Sequence, residues 1–463
     1  MPPESGSKRS SSASQTVVVC PNELCHSELP AGRGRGYCAE CGEAWTRCSK
    51  CGRAISTLWQ FCPTDGIPAE AWSSSLYGAS PKFADPEPRT IEIGEESWTA
   101  PVSYGGYLWT ISTEGNVFRL SPANEVPVLV ENLGKEFGRH PFTILRKKEG
   151  GRPLLVAVGT RRVALMDPAI HKPEDEPLCS RSLPREENFV LLDDSYSSVA
   201  VSNQQVAYLK RKRETQSDPT PESERKPGDL FLAVGTRRAN NVELEDEFAV
   251  SSEKACGPFV LGQRICLYTD DQFLFLDGQR LQSYPLPRDF HPVIDPEGES
   301  PFDVWWGHPP YVVFPSGAYI PGELNGVACF QFVELIGSRP KFSDPKIPEG
   351  GAYRPTSDEG LVIASRGSLK HLWRTRLSDA LQPERDTQIM AGPALLTDDF
   401  EVALCQGAAK GRQLRLYPGG RERADIDDEV TPIDLFLFPG YLTLTSRLEN
   451  HLEVISWPLV SSA

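Results

Sequence analysis

Apolar stretches long enough to cross a bilayer are missing from this sequence of 463 residues. A transmembrane helix needs about 18 apolar residues in a row. The nearest candidate, IDLFLFPGYLTLT, is interrupted by Pro439 and Gly440. The first residues, MPPESGSKRSSSASQ, contain no apolar segment of the kind that directs secretion. We therefore expect a cytoplasmic protein without membrane association, whose thiols stay reduced.

Recognisable catalytic motifs are also absent. The chain has no Gly-x-Ser-x-Gly elbow, Walker A loop, His-Glu-x-x-His helix or EF-hand loop. Its seven histidines are scattered along the sequence, whereas general acid–base catalysis requires groups that act together. The sequence therefore predicts a protein that is not an enzyme.

Cysteines, in contrast, are concentrated near the N-terminus, where seven of the twelve lie between residues 20 and 62. Two pairs occur as Cys-x-x-Cys-Gly, in CAECG and CSKCG. This spacing lets two thiolates bind one metal ion, and the glycine accepts the positive φ of a tight turn. A third half-copy, CPTDG, has an aspartate in place of the second thiol. The candidate zinc ligands are Cys20, Cys25, Cys38, Cys41, Cys48, Cys51, Cys62 and Asp65.

These ligands divide naturally into two sites. The first combines the pair Cys20 and Cys25 with the pair in CAECG, and the second combines the pair in CSKCG with Cys62 and Asp65. So short a module cannot bury a stabilising core by itself, so we expect zinc to hold it together. Asp65 is either a carboxylate ligand or a position where the second site has lost its fourth ligand. His26 adjoins Cys25 and is not expected to bind the ion.

The segment from CPNELC to CPTDG resembles the double zinc ribbon family. This resemblance implies two zinc ions, each held by two short knuckles. Two features depart from the family pattern. The first knuckle has four residues between its cysteines instead of two, and Asp65 replaces a thiolate.

The charge of the N-terminal region argues against a strong nucleic-acid clamp. The whole chain has a net charge of −15. Residues 1–66 carry seven basic and six acidic side chains, a balance of +1, which leaves −16 for the remainder. Binding to phosphates usually requires a clear excess of basic residues. The segment GRGRG at 32–36 lies in the hairpin of the first ribbon and offers Arg33 and Arg35 either to phosphates or to solvent at a flexible turn.

The remaining sequence predicts a mainly β repeat protein. After an N-terminal tail (1–19), the ribbons (20–66) and a linker rich in Pro, Ser and Ala (67–88), short apolar strands alternate with turns from 89 to 460. Intervals between the hairpin turns average about 48 residues, the period of a β-propeller blade. A charged segment at 210–228 is predicted to be a mobile insertion. The turns fall near residues 115, 160, 203, 271, 317, 366, 410 and 449.

Eight copies in the same phase favour a propeller of seven or eight blades, with eight preferred, over the competing β-sandwich. The strand RTIEI at 89–93 precedes the first copy, and the last copy ends with its third strand near Leu459. An N-terminal strand that completes the last blade explains both observations.

Segments such as GGYLWTISTEGNVFRLSP and VALMDP resemble the blades of quinoprotein-like or WD-like propellers. The Gly-His and Trp-Asp signatures of WD40 repeats are absent. The resemblance therefore implies an architecture and no activity.

Several other residues of the predicted propeller are candidates either for binding or for a structural role. Paired aspartates at 193–194, 270–271 and 398–399 either form a carboxylate ring at one propeller mouth or cap tight turns, and turn capping is the preferred interpretation. The run DIDDEV contains acidic side chains but not the spaced ligands of a calcium loop. Trp305 and Trp306 are either a partner anchor or blade core. Five isolated cysteines are expected to behave as buried apolar residues; they are Cys179, Cys256, Cys266, Cys329 and Cys405.

Together these features predict a non-catalytic zinc-binding scaffold. The propeller would bind protein partners, and the zinc ribbons would reach a second partner, in a setting such as a prokaryotic multi-protein regulatory or defence assembly. Two alternatives follow from the same residues. One is a nucleic-acid-binding protein that uses GRGRG together with Arg47, Lys50 and Arg53, and the other is an enzyme with its site in the propeller channel.

Overall fold

The structure is a computed structural model, and it describes the chain in separate stretches. The described residues are 18–20, 28–29, 35–37, 44–48, 53–56, 81–85, 87–96, 99–104, 107–121, 126–138, 142–145, 154–158, 162–166, 179–182, 189–191, 199–201, 205–212, 230–237, 242–252, 254–262, 264–294, 310–314, 316–337, 339–348, 350–356, 359–381, 388–397, 400–407, 411–417, 423–438 and 440–461. Within these stretches the fold is mainly β, as predicted. Forty strands occur there with a single 3₁₀ helix, Lys135–Phe137.

The N-terminal region forms two small antiparallel sheets. One is a hairpin of β1 with β2, and the other has the order β3-β4-β5. The strands are β1 (Val18–Val19), β2 (Glu28–Leu29), β3 (Arg35–Tyr37), β4 (Ala44–Arg47) and β5 (Ala54–Ser56).

Two further strands, β6 (Pro81–Phe83) and β7 (Arg89–Glu96), precede the first of eight larger antiparallel sheets. Sheets 1 to 7 are each built only from strands that are consecutive in sequence. Sheet 1 contains β8 (Val102–Tyr104), β9 (Tyr107–Ile111), β10 (Asn116–Leu120) and β11 (Val128–Asn132). Sheet 2 contains β12 (Thr143–Leu145), β13 (Leu154–Val158), β14 (Arg162–Met166) and β15 (Cys179–Ser182). Sheet 3 contains β16 (Phe189–Leu191), β17 (Val199–Val201), β18 (Gln205–Lys212), β19 (Leu230–Arg237) and β20 (Val242–Val250).

The middle sheets follow the same plan. Sheet 4 contains β21 (Cys256–Leu261), β22 (Arg264–Tyr268), β23 (Gln272–Asp277) and β24 (Arg280–Pro285). Sheet 5 contains β25 (Phe290–Pro292), β26 (Val312–Val313), β27 (Ala318–Leu324), β28 (Val327–Ile336) and β29 (Arg339–Phe342). Sheet 6 contains β30 (Ala352–Pro355), β31 (Gly360–Ser365), β32 (Ser368–Trp373) and β33 (Arg376–Leu381).

The last two sheets lead to the C-terminus. Sheet 7 contains β34 (Gln388–Leu396), β35 (Glu401–Gln406), β36 (Arg412–Tyr417) and β37 (Arg423–Ile426). Sheet 8 contains β38 (Thr431–Phe438), β39 (Tyr441–Leu448) and β40 (His451–Ser461).

Sheet 8 is completed from the other end of the described chain. β7 pairs with β40 in antiparallel register, with Ile91 opposite Val454, and β6 pairs with the end of the same strand, with Phe83 opposite Leu459. The predicted closing strand at 89–93 is thus confirmed. The predicted linker at 67–88 is wrong at its C-terminal end, because Pro81–Phe83 has the same partner strand and forms β6.

Consecutive sheets pack against each other through apolar cores. Such cores join sheets 1 and 2, then each neighbouring pair from sheet 3 to sheet 8. A further core joins sheet 8 back to sheet 1, where Phe436 and Val454 pack with Leu108 and Leu120. Central strands such as Gly360–Ser365 are therefore buried throughout and carry continuous apolar runs. A succession of sheets whose last member packs on its first is the plan of a β-propeller.

The first strand of each sheet lies on the inner side of this succession. β30 contacts β34, β34 contacts β38, and β21 contacts both β17 and β26, so the first strands of neighbouring sheets lie side by side. These strands therefore line the side on which neighbouring sheets come close together.

Six of the predicted hairpin turns join the second and third strands of a sheet, but the turns near 203 and 317 do not. In sheet 3 both β16 and β17 pair with β18, and in sheet 5 both β25 and β26 pair with β27. The first strand of each of these sheets is thus interrupted. The turns near 203 and 317 join its second half to the second strand, so the predicted phase was wrong at these two positions.

The charged insertion lies in the hairpin between β18 and β19. Its predicted start at 210 is too early, because β18 continues to Lys212 and pairs with β19 through Arg211. Residues 213–229 lie outside the described part of the chain.

Candidate metal-binding module and propeller interior

The predicted metal knuckles fall in the turns of the N-terminal hairpins. β1 and β2 pair with Val18 opposite Leu29, and the connection between them contains Cys20 and Cys25. β3 and β4 pair with Tyr37 opposite Ala44, and CAECG lies in the segment that connects them, outside the described residues.

The third knuckle occupies the turn between β4 and β5. Arg47 pairs with Ala54 at the base of this turn, and the backbone N–H of Cys48 donates to the carbonyl of Arg53 at 2.9 Å. Strand β4 is therefore shared by two hairpins. CAECG lies at its start and CSKCG lies at its end, so the two predicted sites belong to opposite ends of one strand of four residues. At about 3.3 Å per residue, that strand spans roughly 13 Å.

A small apolar core connects the two N-terminal sheets. Trp45 of β4 packs with Cys20, Leu29 and Ala54, and Val18 covers the edge of this group. Trp45 and Cys48 are almost completely buried, at 1% and 2% exposure. The first cysteine of the first knuckle thus contacts the strand that leads from the second knuckle to the third.

Only two of the eight predicted ligands, Cys20 and Cys48, belong to the described residues, and both are buried. The other six lie outside the described part of the chain; they are Cys25, Cys38, Cys41, Cys51, Cys62 and Asp65. Within the described stretches no group of three or more metal-binding side chains is found. The structure shows the paired strands that flank these cysteines in the sequence.

The segment GRGRG does not form a turn throughout. Arg35 and Gly36 belong to β3 and lie opposite Thr46 and Trp45. The prediction of a flexible turn is therefore wrong at this end of the segment. His26 and residues 32–34 lie outside the described stretches.

The aspartates at 270–271 each accept a hydrogen bond from a nearby hydroxyl, one inside their own turn and one outside it. The hydroxyl of Thr269 donates to Asp271 Oδ1 at 3.0 Å, and that of Ser252 donates to Asp270 Oδ1 at 3.0 Å. The group that caps the backbone of this turn is Thr269, whose hydroxyl accepts the N–H of Gln272 at 3.1 Å. The pairs at 193–194 and 398–399, like Trp305 and Trp306, lie outside the described residues.

The acidic run DIDDEV is likewise engaged by protein donors. Asp425 accepts from the side-chain amide of Gln413 at 2.6 Å, and Asp428 accepts from Arg412 Nε at 3.3 Å. Asp427 accepts the backbone N–H of Glu429. The described contacts of this run are those of a capped turn.

An ion pair that sequence reasoning missed crosses the inner side of the propeller. Arg354 Nε on β30 lies 3.1 Å from Asp434 Oδ1 on β38, with both side chains nearly buried. The Arg354 guanidinium also lies 5.0 Å from the centre of the Phe436 ring. Since β30 and β38 are the first strands of sheets 6 and 8, the pair reaches past sheet 7.

Tyrosines near the inner strands are also bound by the protein itself. The hydroxyl of Tyr268 donates to the carbonyl of Val293 at 2.9 Å, and the hydroxyl of Tyr353 donates to that of Pro310. Burial, followed by the nearby Cys256 thiol, raises the pKa of Tyr268, and the same causes raise the pKa of Tyr353. These phenols stay protonated at neutral pH.

The isolated cysteines of the sheets are buried, as predicted for Cys256, Cys266, Cys329 and Cys405. Burial raises the pKa of Cys266 to about 12, and burial together with Glu323 raises that of Cys329 to about 12. A thiol must lose its proton to act as a nucleophile or metal ligand. Cys179 lies on β15, and nothing further is described of its side chain.

No described helix has the length and apolar character required to span a bilayer. The described histidines at 291, 371 and 451 belong to sheets 5, 6 and 8, on β25, β32 and β40.

No protein-family model matches this sequence, and no curated protein matches it either. Solved structures with a similar fold include an oligogalacturonate lyase in complex with manganese, with 11% identity, 83% of this chain and 94% of that chain covered, and a TM-score of 0.42. An oligogalacturonate lyase from Vibrio parahaemolyticus has 9% identity, 91% and 96% coverage, and a TM-score of 0.39. Sqt1 from Saccharomyces cerevisiae has 8% identity, 82% and 99% coverage, and a TM-score of 0.43. Similarity at this level carries no information on substrate or partner.

Proposed function

We propose that this protein is a non-catalytic cytoplasmic scaffold that binds protein partners through a β-propeller and two zinc ribbons. The observation that carries the proposal is that the polar side chains described on and near the propeller's inner strands are bound by the protein itself. Their charged pair, Arg354 with Asp434, is held between two strands of the protein itself, with Nε 3.1 Å from Oδ1. Tyr268, Tyr353, Cys266 and Cys329 are buried, and burial raises the pKa of each. Among the described residues, these inner side chains are bound by the protein itself, which supports an interior that holds up an outer binding surface.

The architecture proposed for the scaffold is an eight-bladed propeller, with one blade for each of the eight larger sheets. The pairing of β7 with β40 supports this architecture, because it joins the N-terminal strand to the last sheet. A ring fastened in this way resists opening, since separation would expose the edge of β40 and the core between sheets 8 and 1.

The zinc ribbons are proposed to hold two ions. Cys20, Cys25, Cys38 and Cys41 would bind the first, and the second would be bound by Cys48, Cys51, Cys62 and Asp65. The placement of three knuckles in three hairpin turns supports this assignment. Bound zinc would cross-link the hairpins and supply folding energy that the small core around Trp45 lacks.

The experiment that tests the scaffold is affinity capture with two baits, the intact chain and a chain lacking residues 1–66. We expect stoichiometric protein partners on the intact bait and loss of a subset on the truncated bait. Nuclease treatment of the eluate should leave these partners in place. Partners released by nuclease would support the nucleic-acid alternative instead, and an intact bait without stoichiometric partners would contradict the proposal.

Metal analysis tests the ribbons separately. We expect about two zinc ions per intact chain and about one in Cys48→Ser, since a structural site needs its complete ligand set. Cys405→Ser is the matched control, because that thiol is buried in β35, away from the ribbons. A zinc content of the intact chain near one would mean that the Asp65 site is degenerate.

A further inference from the structure

Two turns at the same end of sheets 5 and 6 are fastened to each other. The turn between β32 and β33 contains Arg374, whose backbone N–H donates to the hydroxyl of Tyr319 on β27. Arg374 Nη1 also lies 3.3 Å from Glu334 Oε1 on β28. Because Tyr319 and Glu334 belong to sheet 5, these contacts place the turn of sheet 6 beside the turn that follows Ile336.

The side chains exposed at this place are large and apolar. Trp373 is 43% exposed and Ile336 is 58% exposed. The guanidinium carbon of Arg374 lies 5.1 Å from the centre of the Trp373 ring, so the indole is stacked against a cation. The preceding residue, Leu372, is buried in the core between sheets 5 and 6. Trp373 follows it in the strand and is directed away from that core, as strand alternation requires.

The same place is basic in a strongly acidic chain. Arg339 lies opposite Ile336, Arg376 lies opposite Trp373, and Lys341 follows on the same outer strand as Arg339. All three side chains are exposed. With Arg374, the basic residues number four. Two carboxylates lie near them, those of Glu334 and of Glu359, which precedes the residue opposite Trp373. The local balance of +2 contrasts with a net charge of −15 for the chain.

We propose that these residues form a docking surface for a short acidic segment of a partner protein, with an apolar side chain of that segment seated beside Trp373. Ile336, Arg339, Lys341, Trp373, Arg374 and Arg376 are called the Trp373 patch. The assignment rests on the proposed scaffold function and adds the chemistry of the partner. Trp and Arg are the side chains that most often dominate binding energy at protein interfaces.

Charge complementarity decides for a short peptide over a nucleic acid. The patch spans two turns, and the chain as a whole carries a net charge of −15. A long phosphate backbone would extend beyond the patch and meet this negative charge, whereas a short acidic segment stays on the patch. At physiological salt, charges more than about 8 Å away are largely screened, so a short segment on the patch interacts mainly with the basic side chains of the patch.

The test uses a displayed library of random short peptides, selected on the intact protein. We expect the recovered peptides to be enriched in Asp and Glu relative to the starting library. A fluorescein-labelled recovered peptide, followed by fluorescence anisotropy, should bind Trp373→Ala and Arg376→Glu about tenfold more weakly or worse. The exposed Arg280 at the corresponding turn of sheet 4 supplies the matched control Arg280→Glu, which should bind as the intact protein does.

Melting temperatures of all variants separate binding from folding. Arg376→Glu changes an exposed side chain, so it keeps the test valid if Trp373→Ala unfolds. Recovered peptides without acidic enrichment, or equal binding by the Trp373 patch variants and Arg280→Glu, would overturn the docking surface while leaving the scaffold function intact. One result would overturn both the docking surface and the scaffold function. It is that the intact protein binds no peptide but binds an oligouridine RNA, and that Trp373→Ala and Arg376→Glu weaken the RNA binding.

Discussion

Arg354 and Asp434 form an ion pair at 3.1 Å between the first strands of sheets 6 and 8, although sheet 7 separates these sheets in sequence. The carboxylate also accepts the backbone N–H of Leu435 at 2.7 Å. The pair therefore connects two inner strands that are not hydrogen-bonded to each other.

Arg354→Ala is expected to destabilise the propeller by about 3 kcal/mol, because it leaves the Asp434 carboxylate largely buried without its cation. Chemical denaturation followed by intrinsic fluorescence measures the change. Arg354→Ala combined with Asp434→Asn should recover part of the loss. Arg423→Ala, at an exposed position on β37, is the control and should have little effect. An unchanged unfolding midpoint in Arg354→Ala would mean that the pair is not coupled to propeller stability.

Ile91→Ala should weaken the closure of sheet 8 by about 3 kcal/mol, since Ile91 is buried in the core shared by sheets 8 and 1. Thr90→Ala, at the exposed neighbouring position of β7, removes a side chain of similar size without opening a cavity. Differential scanning calorimetry of both variants checks the prediction. Equal melting temperatures in the two variants would show that β7 does not fasten the ring.

Glu453→Gln is expected to stabilise the protein at neutral pH by about 0.5 kcal/mol, because Glu453 lies opposite Glu92 in the β40–β7 pair. Burial, and after it the Glu92 carboxylate, raises the pKa of Glu453 above its ordinary value of 4.5. Such a group contributes stability that is complete below its unfolded-state pKa and is lost as pH rises through its folded-state pKa. The advantage of the variant should therefore appear as pH rises above that range.

Melting temperatures of the Glu453→Gln variant and the unmodified protein, compared across a series from acidic to neutral pH, measure this difference. Asp379→Asn, an exposed carboxylate on outer strand β33, serves as the control. A difference that is constant over the series would contradict the assignment to Glu453.

Cys266 and Cys329 should resist alkylation by iodoacetamide in the folded protein at mildly alkaline pH, because their pKa of about 12 leaves almost no thiolate. Both should react fully after denaturation. Mass spectrometry of labelled peptides gives the extent of reaction at each cysteine. Rapid labelling of either thiol in the native protein, at the rate of an exposed cysteine, would show that the inner sheets open readily.

Much of the propeller followed from the sequence because its blades are local structures. Sheets 1 to 7 are each built only from strands that succeed one another, so short apolar runs and intervening turns report them directly. The closing strand was also predictable, since Ile91 and Ile93 alternate with polar residues before the first repeat. The errors at 203 and 317 have a definite cause. An interrupted first strand adds a turn to a repeat, and the local pattern of that turn is the same as that of a hairpin between the second and third strands.

The ribbons were predicted from cysteine spacing, and the structure adds how their hairpins are related. Nothing in CAECG or CSKCG reveals that β4 serves both knuckles or that Trp45 packs against Cys20. These relations depend on the pairing of strands around the knuckles.

The sequence by itself determined the mainly β character of the chain, the periodic sheets, the closing strand and the candidate metal ligands, because these depend on residue type and on short-range spacing. Only the tertiary structure decided which distant side chains meet. The Arg354–Asp434 pair and the Trp373 patch both arise where strands of different sheets are brought together. Their partners are chosen by the packing of one sheet against another, and no local pattern in the sequence records that packing.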